Sequence, residues 1–233
     1  MSDKLKAIHS HAFDFWLARS SVVVVISLQW LIINKLTVGP QWLAPSLELA
    51  LLLPLSMATA WTQSQARDAT THYHWLRVAK MRRLIRWMAI ILTALISMLN
   101  FGSLLLLVRA LLKGNLGTSG QTLLLDALNI WATNVIVFAL WYWSVDRGGP
   151  AARGISRREV DDFLFPQMAL AGNSDWSPGF TDYLYLSFTN AAAFSPTDTM
   201  PLTARAKLLM MAESAVSLLT LALVAARAVN ILS

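Results

Sequence analysis

The sequence contains no cysteine and few charged residues, and each shortage narrows what the chain can be. With no cysteine among 233 residues, disulfides, thiolate metal sites and cysteine nucleophiles are excluded. Charged residues make up 14% of the chain, against about 25% in an ordinary soluble domain. Hydrophobic residues make up 56%. A soluble globular fold is therefore not expected.

Apolar runs long enough to cross a hydrocarbon core of about 30 Å recur along the chain. We expect five membrane-spanning helices, near residues 18–34, 42–61, 87–112, 122–144 and 204–232. Apolar residues at helical spacing over 5–17 predict an interfacial helix that leads into the first span. The predicted fold class is an all-α polytopic membrane protein.

One further apolar segment, residues 180–193, has the length of a re-entrant helix, because a full span needs about 20 residues. The sequence predicts three regions. Residues 1–145 hold the interfacial helix and four spans, and residues 146–179 form a polar cytoplasmic linker. Residues 180–233 hold the re-entrant pore-like helix, a filter-like loop and the final span.

The segment from Leu184 to Thr203 reads LYLSFTNAAAFSPTDTMPLT, a short apolar helix, a non-helical stretch, an aspartate and then a long helix. This order resembles the pore loop of two-helix potassium channels, in which the stretch ends in TVGYGD. The resemblance implies a filter-like loop made of Phe194, Ser195, Pro196, Thr197 and Asp198. Both filter glycines are replaced, by Ser195 and Thr197, so a strict potassium filter is not expected.

From Trp143 onward the chain is more closely similar to a family of uncharacterised bacterial inner-membrane proteins. The matching positions are Arg147-Gly148-Gly149, Phe165-Pro166, Asp182 to Thr189, Thr197-Asp198 and Val229-Asn230. This resemblance implies the bacterial inner membrane as the location and brings no activity with it.

The final span carries a narrow polar face. At 100° per residue, four side chains fall on one side of the helix: Glu213, Ser217, Thr220 and Arg227. Polar groups on a spanning helix almost never face lipid. The face therefore either lines a pore or packs against another helix, and the sequence leaves both alternatives open.

Four charged residues lie near the outer ends of their spans: Glu48, Arg109, Asp126 and Arg227. An isolated charge in hydrocarbon costs about 2.5 to 3.5 kcal/mol even on insertion scales, so pairing is expected. Arg109 and Asp126 flank one short turn and are predicted to form an ion pair, with a proton or ion relay as the alternative. Asp161 and Asp162 are predicted to be a solvated face of the linker.

These observations favour an ion channel that conducts a small cation through a homotetramer, with the residues from Phe194 to Asp198 as the constriction. A secondary transporter that uses Glu213 and Arg227 as a coupling pair, or a non-conducting scaffold or accessory subunit, is the alternative. Asp198 has the alternative role of capping the last helix. No enzyme constellation, metal site, cofactor or nucleic-acid partner is predicted; the expected partners are the lipid bilayer, an inorganic cation and further copies of the chain.

Orientation gives the first testable prediction. Fifteen of the 19 Lys and Arg residues fall on one side of the predicted topology, so the positive-inside rule places the N-terminus in the cytoplasm and the C-terminus outside. A phosphatase that is active only outside the cytoplasm should be active when fused after Ser233 and inactive when fused before Met1. An inactive fusion at Ser233 would contradict this topology.

Overall fold

The structure, a computed structural model, describes residues 12–31, 40, 42–68, 72–112, 120–149, 161–170, 176–193 and 198–232. The α-helices in these ranges are α1 Ala12–Leu31, α2 Leu43–Asp68, α3 His72–Leu112, α4 Gly120–Val145, α5 Phe180–Ala193 and α6 Ala204–Leu232. Two 3₁₀ turns, Asp146–Gly148 and Pro166–Ala169, lie between α4 and α5. Strands β1 Phe163–Leu164 and β2 Met200–Pro201 pair antiparallel. The prediction of a mostly helical protein is confirmed.

Three helices are long and apolar enough to cross a membrane, over Arg83–Leu112, Gln121–Val145 and Ala204–Ala226. They coincide with the last three of the five predicted spans, and Leu43–Ala58 is a shorter apolar helix. Residues 62–86, which lie between the second and third predicted spans, are helical over most of their length, since α2 continues to Asp68 and α3 begins at His72. A helix can continue into water beyond the bilayer, so hydropathy locates the lipid boundary and not the helix end.

Helix α4 is the centre of the bundle. It packs against α1, α3, α5 and α6, and 61% of its most apolar stretch is buried, against 28% for α3 and 22% for α6. The outer faces of α3 and α6 instead expose large apolar side chains, including Met98, Phe101, Leu208 and Met211. An exposed apolar face of this size is what a bilayer covers.

The linker contributes to the core through its described part, residues 161–170. Phe163 and Phe165 are buried and make edge-to-face contacts with Tyr183 of α5, at centroid distances of 6.4 and 5.3 Å. Strand β1 then pairs with β2 just before α6, with Phe163 opposite Pro201. The chain between α4 and α5 is thus fixed to the base of the last helix.

Asp162 makes this attachment, and its predicted place on a solvated face was wrong. Its side chain is fully buried because the carboxylate accepts hydrogen bonds from Arg205 Nε and Nη2 at 2.6 and 2.7 Å and from the Thr203 hydroxyl at 2.5 Å. Asp161 remains partly exposed and forms an ion pair with Arg147 at 2.8 Å. Burial of one of two adjacent aspartates depends on a distant arginine, which linker composition does not reveal.

Helix α6 is capped by Thr203 and not by Asp198. The Thr203 hydroxyl accepts a hydrogen bond from the Ala206 N–H at 3.3 Å, as an N-cap threonine does. The Asp198 side chain is exposed and accepts a hydrogen bond from the Thr199 hydroxyl at 3.1 Å. The alternative in which Asp198 caps the last helix is therefore wrong.

The start of α5 is joined to α1 by a close approach of Gly179 to the Asp14 carboxylate, which any larger residue would have to displace. A Cβ atom on Gly179 would lie 2.8 Å from Asp14 Oδ1, and that oxygen accepts the Phe180 N–H at 3.2 Å. Asp182 Oδ2 accepts the Gly179 N–H at 2.7 Å. Burial raises the pKa of the Asp182 carboxyl, and the nearby Asp14 raises it further, whereas the Gly179 N–H opposes this rise. Acidic groups here suit the positive end of the helix dipole.

The attachment at Asp162 gives the second prediction. Asp162→Asn removes the charge that Arg205 pairs with, and hydrogen bonds to charged groups contribute about 1.5 to 3 kcal/mol each. We expect the unfolding free energy in detergent to fall by an amount on that order. Asp161→Asn is the matched control, and because its ion pair is partly exposed it should cost about 1 kcal/mol or less. Equal losses in the two variants would contradict the assignment.

Candidate functional site

Glu213 lies in the middle of α6, and its carboxyl group is completely buried. Three neutral donors surround it. Asn190 Nδ2 of α5 lies 2.6 Å from Glu213 Oε2, and the hydroxyls of Tyr142 and Ser187 are within hydrogen-bond distance of Oε2 and Oε1. The carboxyl is therefore held where α4, α5 and α6 meet.

One face of α5 supplies most of this site. Tyr183, Ser187 and Asn190 follow one another at spacings of four and three residues, which puts them on one side of a helix. All three are buried, whereas Tyr185 and Phe188 on other faces are half exposed. The short helix thus presents its polar face to the bundle and an apolar face outward.

The Ser187 hydroxyl has two acceptors but only one proton. Its oxygen lies 2.7 Å from the Val135 carbonyl oxygen and within hydrogen-bond distance of Glu213 Oε1. If Glu213 is ionised, Ser187 donates to it; if Glu213 is protonated, it donates to Ser187, and Ser187 donates to Val135. The site can accommodate Glu213 with or without a proton, and only a hydroxyl rotation separates the two arrangements.

The polar contacts extend beyond the carboxyl along α4 and α6. Asn134 Nδ2 lies 3.0 Å from Ser217 Oγ and 3.4 Å from the Glu213 carbonyl oxygen. Ser214 donates to Asn190 Oδ1 at 3.3 Å. Thr220, also fully buried, donates to the Val216 carbonyl at 2.7 Å. Buried polar groups thus follow the α4–α6 contact, with Asn134 joined to Ser217 and Thr220 bonded within its own helix.

Among the described residues, no Lys, Arg or His forms an ion pair with Glu213. Nor do those residues contain a group of three or more His, Asp or Glu side chains arranged to hold a metal ion. A buried carboxylate without a counter-charge is costly, so protonation of Glu213 or binding of a cation beside it would relieve that cost.

A second buried carboxyl lies at the linker side of the site. Asp146, one turn after Tyr142 on the chain, accepts a hydrogen bond from the Tyr183 hydroxyl at 2.5 Å and from the Asp162 N–H at 2.8 Å. The Phe163 ring contacts Tyr142 and Tyr183, with centroids 5.1 and 6.4 Å apart. Tyr142 is hydrogen-bonded to Glu213 and Tyr183 to Asp146, and the Phe163 ring contacts both tyrosines.

The structure brings Glu213, Ser217 and Thr220 together, but it turns them toward α4 and α5 of the same chain. Of the two alternatives for the predicted polar face, this arrangement corresponds to packing against other helices and not to lining a pore. Nothing is described for the side chain of Arg227, and Phe194, Ser195, Pro196 and Thr197 lie outside the described residues. The sequence interpretation missed Tyr142, Asn134, Ser187 and Asn190. Polar residues at spacings of three and four within apolar helices were the signal that could have found them.

Arg109 and Asp126 are placed differently from each other. Asp126 is 2% exposed and faces the bundle, whereas Arg109 is exposed on α3. No ion pair joins these two residues among the described parts of the chain. The structure does not bring the predicted partners together.

No known protein-family model, curated protein or solved structure shows significant similarity to the chain. The resemblances to the pore loop and to the uncharacterised bacterial membrane proteins therefore remain expectations from the sequence. Any statement about function must be argued from the chain's own residues.

The placement of Arg109 and Asp126 gives the third prediction. Because Asp126 is buried and Arg109 is exposed, Asp126→Asn should lower the unfolding free energy in detergent more than Arg109→Gln does. The double variant should equal the sum of the two within about 0.5 kcal/mol, as expected for independent sites. A coupling energy of about 1 kcal/mol or more would instead support the ion pair predicted from the sequence.

Proposed function

We propose that this protein moves a small cation, the proton foremost, across the membrane, and that Glu213 is the group that binds it. The observation that carries the proposal is a fully buried carboxyl in a spanning helix, held by neutral donors from two other helices. Intramembrane ionisable residues commonly mark ion pathways and proton relays. No counter-charge among the described residues competes with a cation for this carboxyl.

A purely structural role for Glu213 and its three hydrogen-bond donors is less well supported. Hydrogen bonds between membrane helices contribute only about 0.6 to 2 kcal/mol each, and buried polar networks are often replaceable by packed apolar side chains at little cost. A carboxyl is not needed to join three helices, because a glutamine would accept and donate equally well. What the carboxyl adds is the ability to gain and lose a proton.

The proposed topology keeps five spans and one re-entrant helix, with α1 and α2 crossing in addition to the three long apolar helices. In support, α1 has 20 residues and α2 has 26, which at 1.5 Å per residue is enough to reach across a hydrocarbon core. Helix α5, with 14 residues, is too short to span. It would enter from the linker side and end near the middle of the bilayer.

The proposed route runs through a single chain. It begins at Asp146 on the linker side, passes Glu213 and continues along Asn134, Ser217 and Thr220 toward the far end of α4 and α6. Because the polar face of α6 points into its own bundle, a central pore between four copies is not required. The proposal therefore fits a transporter or proton pathway better than the tetrameric channel that the sequence favoured.

A filter-type channel remains the second candidate, supported by one observation. The 14-residue helix α5 leads through residues 194–197 to an exposed acidic residue, Asp198, ahead of the final span. A ring of such residues at a pore mouth would concentrate cations and repel anions. This candidate needs an oligomer, whereas the pathway through Glu213 does not.

The fourth prediction tests the pathway. In liposomes that contain a pH-sensitive dye, a potassium diffusion potential should drive proton uptake through the parent protein faster than through empty liposomes. Glu213→Gln should reduce this uptake by about a hundredfold, the lower end of what a positioned proton-transfer group contributes, or to the rate of empty liposomes. Because glutamine keeps hydrogen-bonding capacity and size, the variant should stay folded, which its thermal midpoint in detergent checks.

Asp198→Asn is the matched control, since it makes the same change of carboxyl to amide at a residue that is not hydrogen-bonded to Glu213. The pathway through Glu213 predicts parental uptake for this variant. A filter at the loop instead predicts slower cation uptake than the parent at low salt, and a difference that shrinks at high salt because the charge of Asp198 in the parent is then screened. Parental uptake by a folded Glu213→Gln variant would contradict the role of Glu213. A parent protein that passes neither protons nor potassium would favour the non-conducting scaffold.

A further inference from the structure

A further buried carboxyl, far from Glu213 in the sequence, joins α1 to α2. Glu48 is completely buried, and its Oε1 accepts a hydrogen bond from Gln29 Nε2 at 3.0 Å. Gln29 lies near the end of α1, and Glu48 lies in the second turn of α2. This side-chain hydrogen bond connects the two helices.

One oxygen on each partner is left without a hydrogen-bond partner. Glu48 Oε2 and Gln29 Oε1 are both buried, and no described residue donates a hydrogen bond to either of them. An acceptor left unsatisfied in a buried site costs about 1 to 3 kcal/mol, and more when it is charged. An ionised Glu48 would therefore combine an unsatisfied carboxylate oxygen with an unsatisfied amide oxygen in one contact.

We propose that Glu48 carries a proton and forms an acid–amide pair with Gln29. A single proton on Oε2 gives the carboxyl a donor, and Gln29 Oε1 is the buried acceptor that lacks one. The pair then exchanges two hydrogen bonds: N–H to the acid and O–H to the amide. The bound ligand is thus a proton, at a site that is separate from Glu213 and independent of the proposed transport.

The charges around Glu48 support the neutral form. Within α1 the charged residue nearest to Gln29 is Arg19, ten positions before it and so roughly 15 Å away along the helix. Lys35, in the connection to α2, lies outside the described residues. On α2, Glu48 is the only charged residue from Leu43 to Ala66. Helix α3 also packs against α2, and the charged residue at its end, Arg109, is exposed and forms no ion pair with Glu48 among the described residues.

Infrared spectroscopy of the purified protein at pH 7 tests this proposal. A protonated carboxyl absorbs as a C=O stretch at higher wavenumber than the two carboxylate bands. The difference spectrum of parent minus Glu48→Gln should show loss of a protonated-carboxyl band and no loss of carboxylate bands. Asp161→Asn is the control, because Asp161 is an ion-paired and partly exposed carboxylate and its loss should appear in the carboxylate bands. Loss of carboxylate intensity in Glu48→Gln would overturn the proposal.

Stability provides a second readout. Glutamine can exchange the same two hydrogen bonds with Gln29, so Glu48→Gln should shift the thermal midpoint by no more than about 2 °C, whereas Glu48→Ala should lower it by more than that. If Glu48→Gln does not fold, the proposal is contradicted on this point, and Gln29→Leu decides the protonation state. Without its amide partner, a protonated Glu48 should move its C=O band to higher wavenumber, whereas an ionised Glu48 would leave that region unchanged.

Discussion

The absence of water in the interior of a bilayer is the constraint on which the rest of this structure depends. A polar group that enters the hydrocarbon region must find its partner inside the protein, because lipid tails offer none. This chain brings several carboxyls to buried positions, and the described contacts show a different solution at each. Asp162 is paired with an arginine. Asp146 accepts hydrogen bonds from a tyrosine and a backbone N–H and also lies 3.8 Å from the Arg147 guanidinium, whereas Glu213 has three neutral donors. The differences among these environments separate structural carboxyls from a candidate functional one.

Helix α4 can contribute contacts at these buried carboxyls because it is the most buried of the three long apolar helices. Its position between α5 and α6 places Tyr142 against Glu213, and its end places Asp146 against Tyr183 and the linker. The linker in turn reaches α6 through Asp162 and Arg205. Movement of α6 relative to α4 would therefore disturb both carboxyl sites together, and Phe163, which packs between the two tyrosines, would have to adjust. Any opening of the proposed pathway has to pass through these contacts.

The sequence predicted the helices well because apolar length is a local property. The bounds of α5 and α6, and the three long apolar helices, follow from runs of residues that lipid accommodates. The sequence predicted the hydrogen-bond and ion-pair partners of polar side chains poorly, because these partners depend on which helices pack against each other. Asp162 looked like solvated linker until Arg205 was placed beside it, and Arg109 and Asp126 looked like a pair because they flank one turn. Three residues of the predicted polar face of α6, Glu213, Ser217 and Thr220, are buried together, but the helices that they meet could not be predicted from the periodicity of α6.

The comparison of Glu48 with Glu213 shows why burial alone does not identify a functional carboxyl. Glu48 has one neutral donor and an orphan oxygen, so a bound proton satisfies the site and its removal leaves two acceptors without partners. Glu213 has enough donors to remain satisfied as an anion, and the Ser187 hydroxyl can turn to the Val135 carbonyl when the proton returns. A carboxyl that is satisfied in only one state holds its proton, whereas a carboxyl that is satisfied in both can pass it on. For this reason the proposed transport role of Glu213 and the proposed holding role of Glu48 rest on the number and geometry of the donors rather than on the depth of burial.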